Sequence, residues 1–174
     1  MMKEIFSIRG LDIFQKNFQQ VVLRSKGEDK LNETIRKETS LLPPSSNLAI
    51  TNNENFLLAK PSFDQWNLFY LKEKKHQDIL KFISNVNSDE EILASDYSYG
   101  QVYFEISGEK RSYYLNKLTH FDLREKKFPV STMAQTLIAK IDCSIYHLKD
   151  KYLITCNSSF ADYFRERLLD SVNV

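Results

Sequence analysis

Glycine is scarce in this chain: there are four in 174 residues, where roughly 7% is usual. That count nearly excludes the glycine-rich cradles that bring backbone amides to a phosphate, and neither a Walker nor a dinucleotide glycine set occurs. Cysteine is scarcer still, with only Cys143 and Cys156. Two cysteines in a long chain without an export signal are expected of a reduced, cytoplasmic protein. The opening Met1-Met2-Lys3-Glu4-Ile5-Phe6-Ser7-Ile8-Arg9 lacks the apolar stretch of a signal peptide. Apolar runs such as Val21-Val22-Leu23 fall far short of the ~20 residues of a spanning helix, so no membrane is expected. An excess of one charge is missing too, with 24 basic side chains against 23 acidic ones and a net charge of +1. Nucleic-acid binders usually show a basic excess, and disordered chains pair high net charge with low hydrophobicity. Both classes are set aside.

What remains is 42% hydrophobic, in a length that fits one domain over residues 1–174 with a core of its own. The first fifteen residues are weakly patterned and predict no element. Gln20–Arg24 is a short β-branched run of strand type. Leu31, Ile35 and Leu42 are spaced for an amphipathic helix over 28–42, ended by Pro43-Pro44-Ser45-Ser46. Those four residues are the only candidate boundary. Strands are expected near 47–51 and 56–60 around the turn tetrad Asn52-Asn53-Glu54-Asn55, and an apolar stretch covers 66–71. A second helix over 72–86 puts Ile79, Leu80, Phe82, Ile83 and Val86 on one face. After a strand near 92–97, Val102, Phe104 and Ile106 alternate with polar neighbours as in a half-buried strand. Ser107 can cap a helix bearing Tyr114, Leu115 and Leu118. Three strands follow, near 133–139, 143–148 and 152–156. A closing helix over 160–169 begins with Ser159 and Asp162 at capping spacing. The class predicted is α+β, a mostly antiparallel sheet packed with helices in two αβ halves.

Catalytic equipment is hard to find. No nucleophile elbow and no Cys–His signature occurs. His76, His120 and His147 lack the spacing of metal ligands, so no metal site is expected. Asp89-Glu90-Glu91 reads as a solvated loop. Asp96 and Asp142 can meet a cationic ligand, though turn and cap roles are the simpler assignment. If Leu148–Lys151 is a hairpin turn, Cys143 faces Cys156 and His147 faces Tyr152. The facing thiols are either a redox-sensitive staple or two small packed hydrophobes, and a reducing compartment favours the second. The 12 Phe, 9 Tyr and one Trp form a core and a protein interface more readily than a base-stacking surface, given the neutral charge.

One stretch goes further. Ile106-Ser107-Gly108, Leu115, Asp122-Leu123, Phe128-Pro129 and Ala134-Gln135-Thr136-Leu137-Ile138-Ala139 stand in order and spacing that resemble the gamma subunit of heterotetrameric sarcosine oxidase. Ser159-Phe160-Ala161 resembles the start of that family's last helix, and Asp64-Gln65-Trp66 places the tryptophan on the family's own. The chain departs from the family at Glu109, where proline follows the glycine. The resemblance spans about 47–172 and implies a fold like part of the folate-binding aminomethyltransferases, such as the glycine-cleavage T-protein. It implies a cytoplasmic, non-catalytic accessory subunit whose partners are alpha, beta and delta subunits. FAD, FMN, NAD, tetrahydrofolate and zinc are then expected in those partners and no cofactor in this chain. The assembly would demethylate sarcosine to glycine oxidatively, forming peroxide and passing one carbon to tetrahydrofolate or releasing formaldehyde. Trp66, Phe121 and Phe128 are the residues expected to be structural or interfacial. The alternatives are a stand-alone folate-binding aminomethyltransferase, with Asp96 or Asp142 meeting the pterin, and a regulatory module that kept only the fold.

Overall fold

The computed structural model describes residues 3–8 and 10–173. The weakly patterned start is not without structure. It forms a hairpin of β1 (Lys3–Ile8) and β2 (Leu11–Lys16), with a bulge between Glu4 and Phe6. Residues 1, 2 and 9 of that stretch lie outside the described residues. Next come β3 (Gln19–Ser25), α1 (Glu28–Thr39), β4 (Ala49–Asn52), β5 (Phe56–Ser62), β6 (Gln65–Tyr70), α2 (His76–Asn87) and β7 (Ile92–Asp96). The chain continues with β8 (Gln101–Ser107), α3 (Arg111–Leu115), β9 (Thr132–Ile138), β10 (Ile141–His147) and β11 (Lys151–Asn157). A 3-10 turn (Ser158–Phe160) then leads into α4 (Ala161–Asn173). No helix among the described residues is long and apolar enough to cross a membrane.

These elements divide into two units. One takes residues up to 17 together with those from 99 onward, and the other is Phe18–Ser98. The divisions fall after β2 and after β7, away from Pro43–Ser46, which is a loop inside the second unit. The reason is a long-range pairing: β2 lies against β8, with Ile13 opposite Ile106. Every pairing within the units is antiparallel, so the predicted α+β class holds.

In the first unit the strand order is β1-β2-β8-β11-β10-β9. Its core gathers alternate residues of the strands, including Ile13, Phe104, Ile145 and Ile154, beneath Phe164 and Leu168 of α4. Phe164 meets Phe104 with ring centroids 5.0 Å apart. The hairpin joining β9 and β10 turns through Ala139 and Lys140, both left-handed at φ 53° and 66°. That conformation costs a non-glycine residue about 1–2 kcal/mol, and it matches the twist that two-residue hairpins require. Two predicted caps are replaced. Ser107 ends β8, and α3 starts at Lys110 without a side-chain cap. At the last helix, Asn157 rather than the Ser159/Asp162 pair does the capping, its Oδ1 accepting from Ser159 N at 3.0 Å.

In the second unit the order is β4-β5-β6-β3-β7. Leu31 and Ile35 of α1 and Ile79, Phe82 and Val86 of α2 pack with Val21, Leu23, Leu58, Trp66 and Leu68. α1 stops at Thr39, three residues before the predicted end. The Thr39 hydroxyl donates back to Ile35 O at 2.7 Å and accepts from Leu41 N at 3.1 Å, and Ser40 takes a left-handed φ of 59°. These bonds end the helix before the prolines are reached, and Leu42 is left exposed. Leu80, predicted inward, points outward, so the apolar stripe of α2 is narrower than its sequence suggests. Pro61 lies inside β5 where the register to β6 shifts between Ala59 and Ser62, the kind of place a strand tolerates a residue with no N–H. Asn53 makes the predicted turn, its Oδ1 accepting from Asn55 N and Phe56 N, each at 2.9 Å.

β7 is the edge of this unit's sheet, and an exposed edge invites pairing with another chain. Asn87, the last residue of α2, covers it. Its Nδ2 donates to Ala94 O at 3.0 Å and its Oδ1 accepts from Ala94 N at 2.6 Å, so one amide takes the place of a neighbouring strand. Asn87→Ala is expected to cost about 1–2 kcal/mol by leaving both groups unpaired. The measurement is the denaturant midpoint, and Asn87→Asp, which keeps only the acceptor, should fall between the variant and the wild type.

Candidate functional site

The connection from α3 to β9 covers residues 116–131 without helix or strand. Loops of this length are uncommon and usually functional. It is fastened to the sheet at several points. Thr119 Oγ1 donates to Leu137 O at 2.7 Å and accepts from Phe121 N at 3.2 Å. The Tyr152 hydroxyl donates to Leu123 O at 2.9 Å and lies 2.9 Å from Ser112 Oγ. His147 Nδ1 lies 2.7 Å from Phe128 O. Since a carbonyl only accepts, Nδ1 carries the proton. Ser131 N donates to His147 O at 2.9 Å. Asp122 Oδ1 accepts from Arg124 N at 3.1 Å, and its Oδ2 pairs with Arg124 Nη2 at 2.6 Å. The hydrogen bond from Arg124 holds the Asp122 carboxyl down to about 2.

Aromatic packing fills the same place. Phe128 stacks on His147 at 5.3 Å and meets Phe121 edge to face at 5.2 Å, and His147 lies 4.7 Å from Tyr152. Arg111 sits over the Tyr152 ring at 5.1 Å. The register read from the sequence, His147 opposite Tyr152 and Cys143 opposite Cys156, is the observed one. What it did not reveal is that Tyr152 and His147 hold the loop. The available signal was that His147 lies at even steps from Cys143 and Ile145, and Tyr152 at even steps from Ile154 and Cys156, on the core face.

The three expected interface residues fall in different surroundings. Phe128 is 3% exposed and belongs to the core of the first unit. Trp66 is 1% exposed in the core of the second, with Lys60 Nζ 5.0 Å from its ring centre and Nε1 without a hydrogen-bond partner. Lys60 is itself buried and paired with Glu28 at 2.5 Å. Phe121 alone is partly exposed, packed on one side against Phe128 and open on the other.

Of the carboxylates noted in the sequence, Asp96 and Asp89 are occupied locally. Asp96 Oδ1 accepts from Ser98 N at 3.0 Å and Ser98 Oγ at 2.6 Å, and its Oδ2 lies 3.7 Å from His76 Nδ1. Asp89 pairs with Lys30 at 2.5 Å, and that hydrogen bond holds its carboxyl below the usual carboxylate range. Two clefts of about 440 and 680 Å³ flank Asp89-Glu90-Glu91, lined largely by charged side chains. Asp142 borders a third, of about 580 Å³, lined mostly by polar residues such as Gln101, Gln135, Ser144 and Thr155. A folate site needs a concave apolar wall for the pterin, and these residues do not fit one. Cys143 and Cys156 are buried and unbonded. The hydrogen bond between the two sulfurs, together with burial, pushes the Cys143 thiol up, so it stays protonated at neutral pH. Among the described residues no three His, Cys, Asp or Glu side chains are grouped to hold a metal.

The fold places the chain in a class. It is similar to the glycine cleavage system aminomethyltransferase T from Bartonella henselae, with a TM-score of 0.65 and 13% identity over 92% of this chain and 46% of that one. The chain thus spans less than half the length of that enzyme, and it has an aminomethyltransferase-like fold. It is also similar to the heterotetrameric sarcosine oxidase from Corynebacterium sp. U-96 in complex with pyrrole 2-carboxylate. There the TM-score is 0.84 and the identity 17%, over 98% of this chain and 87% of that one. Among curated proteins no sequence matches. Residues 48–173 match the model of the sarcosine oxidase, gamma subunit family, and the chain belongs to that family.

Membership gives the motif residues a physical meaning. Gly108 has φ +99°, and a Cβ there would stand 2.4 Å from Gly10 O and 2.9 Å from Leu11 N. Leu123 and Phe128 are core, Asp122 holds Arg124 N just before the turn, and Arg124 O closes it by accepting from Lys127 N and Phe128 N. Gly108→Ala is expected to destabilise by about 3 kcal/mol through φ strain and collision with the hairpin backbone. Tyr152→Phe should cost about 1–2 kcal/mol by leaving Leu123 O unpaired. Hydrogen exchange should rise at residues 121–128 in the second variant, and chemical denaturation measures both.

Proposed function

We propose that the chain is the non-catalytic gamma subunit of a flavin-dependent heterotetrameric sarcosine oxidase. The family match over residues 48–173 carries this reading, and the likeness of fold over nearly the whole chain supports it. The assembly demethylates sarcosine to glycine with peroxide formation, and the one-carbon unit passes to tetrahydrofolate or leaves as formaldehyde. FAD, FMN, NAD, tetrahydrofolate and zinc are held by the alpha, beta and delta subunits, and this chain contributes surface and shape. Its side chains agree with that role. Asp96 and Asp89 are tied to Ser98 and Lys30, and the most elaborate polar cluster positions a loop. We place the complex in the cytoplasm, where facing thiols such as Cys143 and Cys156 stay reduced.

Affinity purification of this chain from its native cells tests the reading. Yellow partner subunits, identified by mass and showing a flavin spectrum and sarcosine-dependent peroxide formation, are the expected outcome. A colourless chain that comes down alone would overturn it.

A further inference from the structure

The loop from α3 to β9 is held rigidly from within and presents a distinct surface outward. Tyr113 is 64% exposed, and Phe121 shows its outer side. Residues 124–127, Arg-Glu-Lys-Lys, are exposed throughout. Segment 109–127 carries six basic side chains against three acidic ones, so this face is positive in a chain that is otherwise balanced. The pairing of Asp122 with Arg124 cancels one charge of each sign and leaves the excess on residues such as Lys126 and Lys127. Aromatic side chains inside a polar rim are the composition of a protein-binding patch, and a charged rim steers an oppositely charged partner. A rigid platform binds without the entropic cost of ordering a loop.

From these observations we propose that α3 and the following loop form the docking surface for an acidic face of a larger subunit. Tyr113 and Phe121 are its aromatic anchors, and Lys126 and Lys127 its electrostatic rim. The inference rests on the accessory-subunit reading and adds the place and the partner's chemistry. Single-stranded nucleic acid fits less well, because it needs open ring faces on which bases stack. Here Lys117 Nζ lies 5.1 Å from the centres of both the Tyr113 and Tyr114 rings, which meet each other edge to face.

The test uses the full chain co-expressed with the alpha, beta and delta subunits, comparing wild type, Tyr113→Ser/Lys126→Glu/Lys127→Glu, and Phe63→Ser. Phe63 is a highly exposed aromatic in the other unit. The triple variant should bind the partner subunits about tenfold more weakly or worse, as expected when a hot spot is removed, while Phe63→Ser binds as wild type does. Wild-type binding should weaken between about 0.1 M and 1 M salt, as the screening length falls from about 10 Å to 3 Å. Circular dichroism and melting verify the fold. If the triple variant melts early, Lys126→Glu/Lys127→Glu, which alters only exposed side chains, carries the comparison. A folded variant that binds as tightly as wild type overturns the proposed surface and leaves the accessory-subunit reading standing, as does equal weakening by Phe63→Ser. A wild-type chain that fails to bind overturns both. Retention of a uridine homopolymer by wild type but not by the triple variant would reassign the patch to nucleic acid.

Discussion

The Tyr152 hydroxyl, buried beneath residues 116–131 and donating to Leu123 O, is the interaction on which the long irregular connection of the first unit depends. An irregular segment lying on a sheet brings carbonyls that no ladder can satisfy. Each must find a side chain or stay in water. Tyr152 and His147 supply such partners from the sheet, and Thr119 fastens the loop by donating to Leu137 O of β9. The rings of Phe128 and His147 then exclude water from the bonds. The loop can therefore run a long way without regular structure and still hold one conformation, which a surface that recognises another protein requires.

A second constraint acts nearby in the same sheet, where Tyr152 lies opposite Ile106 and the strand runs on to Gly108. Gly10 and Gly108 let two backbones approach too closely for a Cβ, and Lys110 N donates to Gly10 O at 2.9 Å. The contact ties the amino-terminal hairpin to β8 and the start of α3. A chain with four glycines spends two of them here, which fits the prominence of Ser107-Gly108 in the family pattern. The unit is built around packing and fastening. Substrate chemistry is left to other chains in the assembly we propose.

Much of this was legible from local pattern. Cys143 faces Cys156 because a short hairpin turn and a period of two leave only one register that keeps Ile145 and Ile154 inward. α1 and α2 were recognisable from their apolar spacing, since a helix that must bury one face repeats every three to four residues. The errors share a physical cause. β1 and β2 have little pattern of their own and are strands because β8 offers an edge. α1 ends where Thr39 bonds its own backbone, three residues before the prolines that seemed to end it. The turn at Ala139-Lys140 has no glycine or asparagine to announce it. Leu80 is apolar yet exposed, because the width of a helix's buried face depends on what it packs against.

Taken alone, the sequence determined the α+β class, the register of Cys143 opposite Cys156 and the gamma-subunit resemblance, because each rests on composition or on residues near one another in the chain. Only the tertiary structure decided that the division of the chain follows the pairing of β2 with β8. It likewise decided that Trp66 and Phe128 are core while Phe121 is partly exposed, and that Asp96 bonds Ser98. Those outcomes depend on partners that local periodicity cannot name: Ile13 meets Ile106, and Tyr152 meets Leu123, across stretches of chain in which no repeat points from one to the other.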